Sequence, residues 1–360
     1  MINVTKTFLP PIEEYEQYIR KVWERAWVTN NGPLVQELEA KLKEKLGVEH
    51  ALFLGNGTIA IQLAIKALGL KGKIITTPFS YVATTSSIVW ENCTPVFADI
   101  HPGTLNIDAS KIEALIDKET TGILATHCFG NACNIDAIAA IAEKHGLKVI
   151  YDAAHCFGTT YHGKSIFNFG DVSTTSFHAT KLFHTIEGGA VFTPHADVNE
   201  TLACMRSFGY KGPVDILHVG INGKNSEMHA AMGLCNLKYI DEILRVRKEQ
   251  FLRYDQLLAN VDRQALVIEE HCGYNYSYYP LILESEAQIL AVKAALEKEN
   301  IFTRRYFSPS LSSLKYVTHN PTPVSDDISQ RILCLPIFHD LTTQDQERIV
   351  NITSKTVHGK

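Results

Sequence analysis

Between residues 34 and 195 the chain switches repeatedly between two periodicities, and few architectures accommodate that. Short strand-type runs, most of them apolar, stand at 51–54, 73–77, 95–98, 122–126, 148–151, 173–177 and 190–193. Several intervening stretches carry helical spacing instead. Leu34, Leu38, Leu42 and Leu46 recur four apart behind Pro33 and stop at Gly47, and residues 135–145 form another such stretch. Runs apolar on successive residues, rather than alternate ones, suit strands buried on both faces. The pattern predicts an α/β fold: a mostly parallel sheet covered by helices on both faces. Beyond about residue 235 the rhythm changes to a charged helix (237–258), a strand (276–283), a helix (286–299) and a C-terminal helix. The expected division is an N-terminal arm with a large domain, 1–235, and a smaller C-terminal α/β domain, 236–360.

Ligands of open α/β sheets bind beyond the carboxyl ends of the strands. Three polar features fall at such ends. Gly55-Asn56-Gly57-Thr58 follows the first run, with Gly57 and Thr58 opening a helix whose free amides suit a phosphate. Asp152 ends the run 149–151, and Ser176 closes a strand five residues before Lys181, with Glu187-Gly188-Gly189 soon after. Taken singly these read as a strand-to-helix turn, a helix N-cap and a solvated lysine. In this order they are what a pyridoxal phosphate site needs: a lysine for the Schiff base, an acid for the pyridinium nitrogen, and a hydroxyl with free amides for the phosphate.

Composition narrows the alternatives. A net charge of −5 argues against nucleic acid or an anionic membrane as a general partner. No apolar stretch is long enough for a leader or a membrane span, so a cytoplasmic location is expected. The eight cysteines include no Cys-x-x-Cys pair. The pairs His127-Cys128, His155-Cys156 and His271-Cys272 place adjacent side chains on opposite sides of a strand, which suits buried thiols, and no metal site is expected.

Six blocks carry a resemblance. They are Asn56 to Ala60, Thr77 to Thr84 (Thr-Pro-Phe-Ser-Tyr-Val-Ala-Thr), Thr94 to Ile100, Asp152 to Gly158, the Ser176–Lys181 block, and Gly220-Ile221-Asn222 with Ser226 to Ala231. From about Pro10 to Asp241, and more loosely to the C-terminus, the chain resembles sugar-nucleotide aminotransferases of the DegT/StrS type, fold type I enzymes that use pyridoxal phosphate. The resemblance implies that Gly57, Thr58 and Ser176 hold the phosphate and Tyr81 stacks on the ring. It implies further that Asp152 pairs with the ring nitrogen, His155 lies near the phenolic oxygen, and Lys181 carries the cofactor and shuttles the proton. Asn222 would reach the cofactor of a partner subunit in a homodimer with shared active sites.

Its details look most like enzymes that aminate dTDP-4-keto-6-deoxyglucose with L-glutamate, in deoxysugar synthesis of the kind that supplies O-antigen. Three other outcomes stay open: a 3-keto sugar aminotransferase, a sugar dehydratase that uses the same cofactor, and a non-catalytic regulatory protein on this fold. Dehydratase relatives carry histidine where this chain has Lys181. Lys224 stands where the family often has arginine, and the two differ at a bidentate anion site. Arg304, Arg305 and Lys211 are candidates for pyrophosphate or sugar contacts.

Overall fold

The switching pattern resolves into a seven-stranded sheet, seen in a computed structural model that describes residues 1–359. Its strands are β1 (His50–Leu54), β2 (Lys73–Thr76), β3 (Thr94–Phe97), β4 (Thr120–Thr126), β5 (Lys148–Asp152), β6 (Val172–Ser176) and β7 (Gly189–Thr193). Their order is β1-β7-β6-β5-β4-β2-β3. Neighbours are parallel except at β7, which runs against both β1 and β6. The exception has a local cause. Parallel neighbours need a crossover, usually helical, and residues 177–188 contain no helix, so the chain returns beside the strand it left, with Gly189 opposite Ser176.

Alternate residues of each strand feed different cores. Phe53, Ile75, Ile123, Tyr151 and Phe192 pack with Leu34, Leu38 and Leu42 of α2 (Pro33–Leu46), Ile138 of α5 (Ile135–His145) and Ala230 of α7 (Glu227–Leu237). Leu52, Leu54, Ile74, Leu124, Ile150 and Val191 pack on the opposite face with Ala60 and Ala64 of α3 (Gly57–Ala67), Ile88 of α4 (Val82–Trp90) and Leu202 of α6 (Ala196–Arg206). Both faces are apolar, which is why the runs showed no clean alternation. A further helix, α1 (Ile12–Arg25), precedes α2 and leaves Trp23 exposed.

The C-terminal part starts with α8 (Ile240–Leu257) and pairs β8 (Tyr279–Ile282) with antiparallel β9 (Ile332–Leu335). Around this ribbon pack α9 (Glu286–Lys298), α10 (Pro323–Arg331) and α11 (Thr343–His358). The N-terminal residues Ile2–Asn3 join it, running parallel to Ile301–Phe302. Phe79, Ile100, Phe129, Tyr278, Ile282, Phe307 and Ile332 form one cluster that joins this part to the carboxyl edge of the large sheet.

Candidate active site

At the carboxyl edge lies a cavity of about 330 Å³ whose wall includes Gly57, Thr58, Tyr81, Asp152, His155, Ser176 and Lys181. Seven of the eight residues singled out in the sequence therefore share one wall. Asn222 is not among them; it is exposed, on a segment bridged to Ser207.

One end of the cavity is built from main chain. Asn56 caps α3, its side chain accepting from the Ile59 amide at 2.9 Å. The Gly57 and Thr58 amides are first-turn donors without intrahelical partners, at the positive end of the helix dipole. Two close approaches shape this end. A Cβ on Gly57 would lie 2.9 Å from the Cβ of Ser176. One on Gly189 would lie 2.5 Å from the carbonyl carbon of Asn56. Gly189 thus lets β7 pass beside the Asn56-Gly57 turn.

Asp152 faces the cavity at the end of β5. Its Oδ2 accepts from the Thr84 hydroxyl at 2.6 Å and its Oδ1 from the Ala154 amide at 3.1 Å. Burial pushes its pKa upward, against the two hydrogen bonds and the nearby Lys181 charge. Lys181 sits in a turn closed by its amide to the His178 carbonyl at 2.9 Å. The Thr7 hydroxyl fastens the same loop by donating to the Ala179 carbonyl at 3.0 Å. Burial lowers the lysine to about 8, opposed by Asp152. A lysine that titrates near neutrality is a usable base and nucleophile.

His155, Phe129 and Phe307 form a triangle of near-parallel rings, the His155 centroid 6.3 Å from that of Phe129 and 5.7 Å from that of Phe307. Burial holds its pKa well below the usual value, and the Phe129 amide donates to its Nδ1 at 3.2 Å. The ring is therefore neutral, with its proton on Nε2. The C-terminal part completes the wall with Tyr278, Tyr306 and Phe307. Tyr81, at the mouth, also borders a groove of about 940 Å³ shared with Thr180, Tyr306 and Phe307. Arg304 is exposed on that groove's wall. Arg305 is not available in the same way: it donates to Glu286 at 2.8 Å and to the carbonyls of Ser329 and Gln330 at 3.1 and 2.8 Å.

The DegT/DnrJ/EryC1/StrS aminotransferase family matches residues 11–354. The chain belongs to that family. It is 43% identical, over 97% of its own length and 97% of the relative's, to a dTDP-4-amino-4,6-dideoxy-D-glucose transaminase of Shigella dysenteriae. It is 37% identical to one of Escherichia coli, over 100% and 98% of the two chains. Among solved structures, DesI in the presence of its TDP-sugar product superposes with a TM-score of 0.93 at 31% identity, over 99% of this chain and 93% of that one. The protein is an aminotransferase, and its cofactor is pyridoxal phosphate. The cavity fits that cofactor on its own terms: free helix amides and a hydroxyl at one end, a buried carboxylate, and a lysine lowered to about 8.

Sequence reading missed several residues of this aminotransferase's site. Ser80, Thr84 and Thr126 form a buried hydroxyl chain leading to Asp152. Ser80 and Thr84 lie inside a block that the resemblance rests on, yet nothing in one sequence ties their hydroxyls to an acid 68 or more positions away. Tyr278 lay in a predicted strand, with nothing in the sequence to single it out. Lys224, expected as an anion contact in doubt, stands with its Nζ 4.5 Å from the centroid of the Phe208 ring. No helix among the described residues is long and apolar enough to cross a membrane.

Proposed function

We propose that this aminotransferase moves the amino group of L-glutamate to the keto carbon of dTDP-4-keto-6-deoxyglucose, giving dTDP-4-amino-4,6-dideoxyglucose. The single observation behind the substrate is the 43% identity, along nearly the full length of both chains, to a transaminase named for that product. The groove beside the cavity supports it. A nucleotide-linked sugar needs room outside the cofactor pocket and a cation for its pyrophosphate, and the groove offers both, with Arg304 on its wall.

When bound, pyridoxal phosphate supplies an electron sink that lets a proton leave and return at the carbon bearing nitrogen. The chain's own residues do the rest in this reading. Gly57 and Thr58 amides and the Ser176 hydroxyl hold the phosphate. Asp152, whose hydrogen bonds from Thr84 and Ala154 favour its ionised form against burial, fixes the charge on the ring nitrogen. Tyr81 would cover one ring face, and His155, with its proton on Nε2, would lie near the phenolic oxygen. Lys181, lowered to about 8, anchors the cofactor and, once released, moves the proton as a base.

Asn222 acts from a partner subunit in a homodimer with shared active sites. Exposed Trp27, Val28, Phe208, Ile216, Val219 and Ile221 support such a second copy. The enzyme works in the cytoplasm, and its product serves surface glycans such as O-antigen.

The test is a panel of dTDP- and UDP-linked keto sugars offered with glutamate, read by mass spectrometry and by NMR of the product. A 4-amino-4,6-dideoxy product from the dTDP substrate is expected. Amination at C3, loss of water without amination, or glutamate-independent turnover would each overturn the proposal.

A further inference from the structure

Beside Asp152 three hydroxyls stand in series, and two of them, Ser80 and Thr126, line the same cavity. The Thr126 hydroxyl donates to Ser80 Oγ at 3.0 Å, Ser80 Oγ lies 2.8 Å from Thr84 Oγ1, and Thr84 Oγ1 donates to Asp152 Oδ2 at 2.6 Å. They come from the end of β4, the loop after β2 and the first half of α4, so only the tertiary fold assembles them. All are shut from solvent: Thr126 is 3%, Ser80 2%, and Thr84 0% exposed.

The polarity of the series follows from its head. Each hydroxyl owns one proton, and an ionised carboxylate only accepts. Thr84 spends its proton on Asp152, so Ser80 donates to Thr84 and Thr126 to Ser80. Helical Ser and Thr usually bond back to a carbonyl one turn earlier. Ser86 of the same helix does so, donating to the Val82 carbonyl at 2.7 Å. Thr84 forgoes that bond for the acid.

We propose that Thr84, Ser80 and Thr126 are positioning residues, a one-way hydroxyl relay that aims and polarises Asp152 toward the ring nitrogen of the cofactor. The inference rests on the reading that Asp152 is the acid paired with that nitrogen. Aligned hydroxyls polarise one another in a low-dielectric interior, so Thr84 acts directly and Ser80 and Thr126 through it, with diminishing effect. Burial favours the neutral carboxyl, and the Thr84 hydrogen bond is the first influence opposing it. Other titratable groups near Asp152 are Lys181, His155, Cys128 and Cys156; burial keeps the thiols protonated and the imidazole neutral.

The test compares Thr84→Val, isosteric but unable to donate, with Thr84→Ser, Ser80→Ala and Thr126→Val. Pyridoxal phosphate affinity is measured by titrating cofactor-free protein, and the pH profile of kcat is measured with the cofactor bound. Thr84→Val should weaken cofactor binding by about 10- to 100-fold, the range for a lost hydrogen bond to a buried charge. It should also move the acid limb of kcat to higher pH, because an acid left without its donor protonates sooner. Thr84→Ser should restore both, Ser80→Ala should show a smaller loss, and Thr126→Val the smallest.

Unchanged affinity and an unmoved acid limb in Thr84→Val would overturn the relay. So would equal damage from Thr84→Val and Thr84→Ser, which would mean packing alone. If Thr84→Val does not fold, Ser80→Ala decides by the same two readouts. Asp152→Asn run in parallel separates the two levels. Wild-type cofactor affinity there sinks the choice of acid, and with it the relay. Damage there without damage in Thr84→Val sinks the relay only.

Discussion

Asp152 at the end of β5 and Glu227 at the start of α7 are both almost wholly buried, 6% and 1% exposed, and they are held in different ways. Glu227 accepts from two main-chain amides, Leu34 at 2.8 Å and Val35 at 2.9 Å, at the open end of α2. It acts as the cap that Gly32 cannot provide, and a Cβ on Gly32 would come within 2.6 Å of its carboxyl carbon. The negative charge sits on the positive end of a helix, where it stabilises the fold. Asp152 has one hydroxyl and one amide, and it faces a cavity that also contains the partly buried Lys181. A buried charge satisfied by its own main chain maintains a structure, whereas one aimed into a cavity is kept for a ligand.

The largest effect should come from the lysine on the cavity side of this contrast. Lys181→Ala is expected to lower turnover by about 10³-fold or more, at the upper part of the range for a positioned acid–base group. It should also abolish the visible absorbance of the bound cofactor while the protein stays folded by circular dichroism. Full activity in that variant would remove the basis for calling the cavity an active site.

The next test exchanges the roles of the two acids. Asp152→Asn should cut kcat/KM by about 10²-fold, as for a lost electrostatic partner of the reacting group, and leave the unfolding midpoint of the cofactor-free protein unlowered. Glu227→Gln should do the opposite. One of its two charge-assisted bonds is lost inside the protein, at a cost of about 2–4 kcal/mol measured by denaturant unfolding. Activity per folded molecule should be nearly unchanged. If Asp152→Asn proved the more destabilising of the two, the distinction would fail.

What the sequence could reveal follows the same line. The strands, α2 and the sites at strand ends were legible because apolar runs, four-residue spacing and Gly-containing turns are local signals. Lys181 and Asp152 were legible through their order along the chain. The role of Glu227 leaves no local signal, because its two donors are 192 and 193 residues away. The role of Thr84 leaves none either, because its partner arrives on a strand 68 residues away. The reversal of β7 was hidden for a related reason. Both buried faces of a strand are apolar in either direction, so only the short return from Ser176 marks it.

The effect most specific to the cavity is a pH dependence. The neutral amine of Lys181 is the form that attaches the cofactor. With its pKa near 8, covalent uptake of pyridoxal phosphate by cofactor-free protein should fall tenfold per pH unit below that value and level off above it. Stability moves in the same direction. Between about 8 and the ordinary lysine value of 10.5 the unfolded chain holds a proton on this lysine that the folded chain has released. Folding of the cofactor-free protein is therefore favoured as pH rises through that window, by on the order of 3 kcal/mol. A Lys181→Met protein should lack the slope. Asp152→Asn removes the charge that holds the lysine up, so the uptake limb should shift to lower pH, whereas Glu227→Gln should leave it in place. Stopped-flow absorbance across pH 6 to about 9 reads the limb directly. An equal shift in both variants would mean that the two acids act on Lys181 alike, through the fold and not through the cavity.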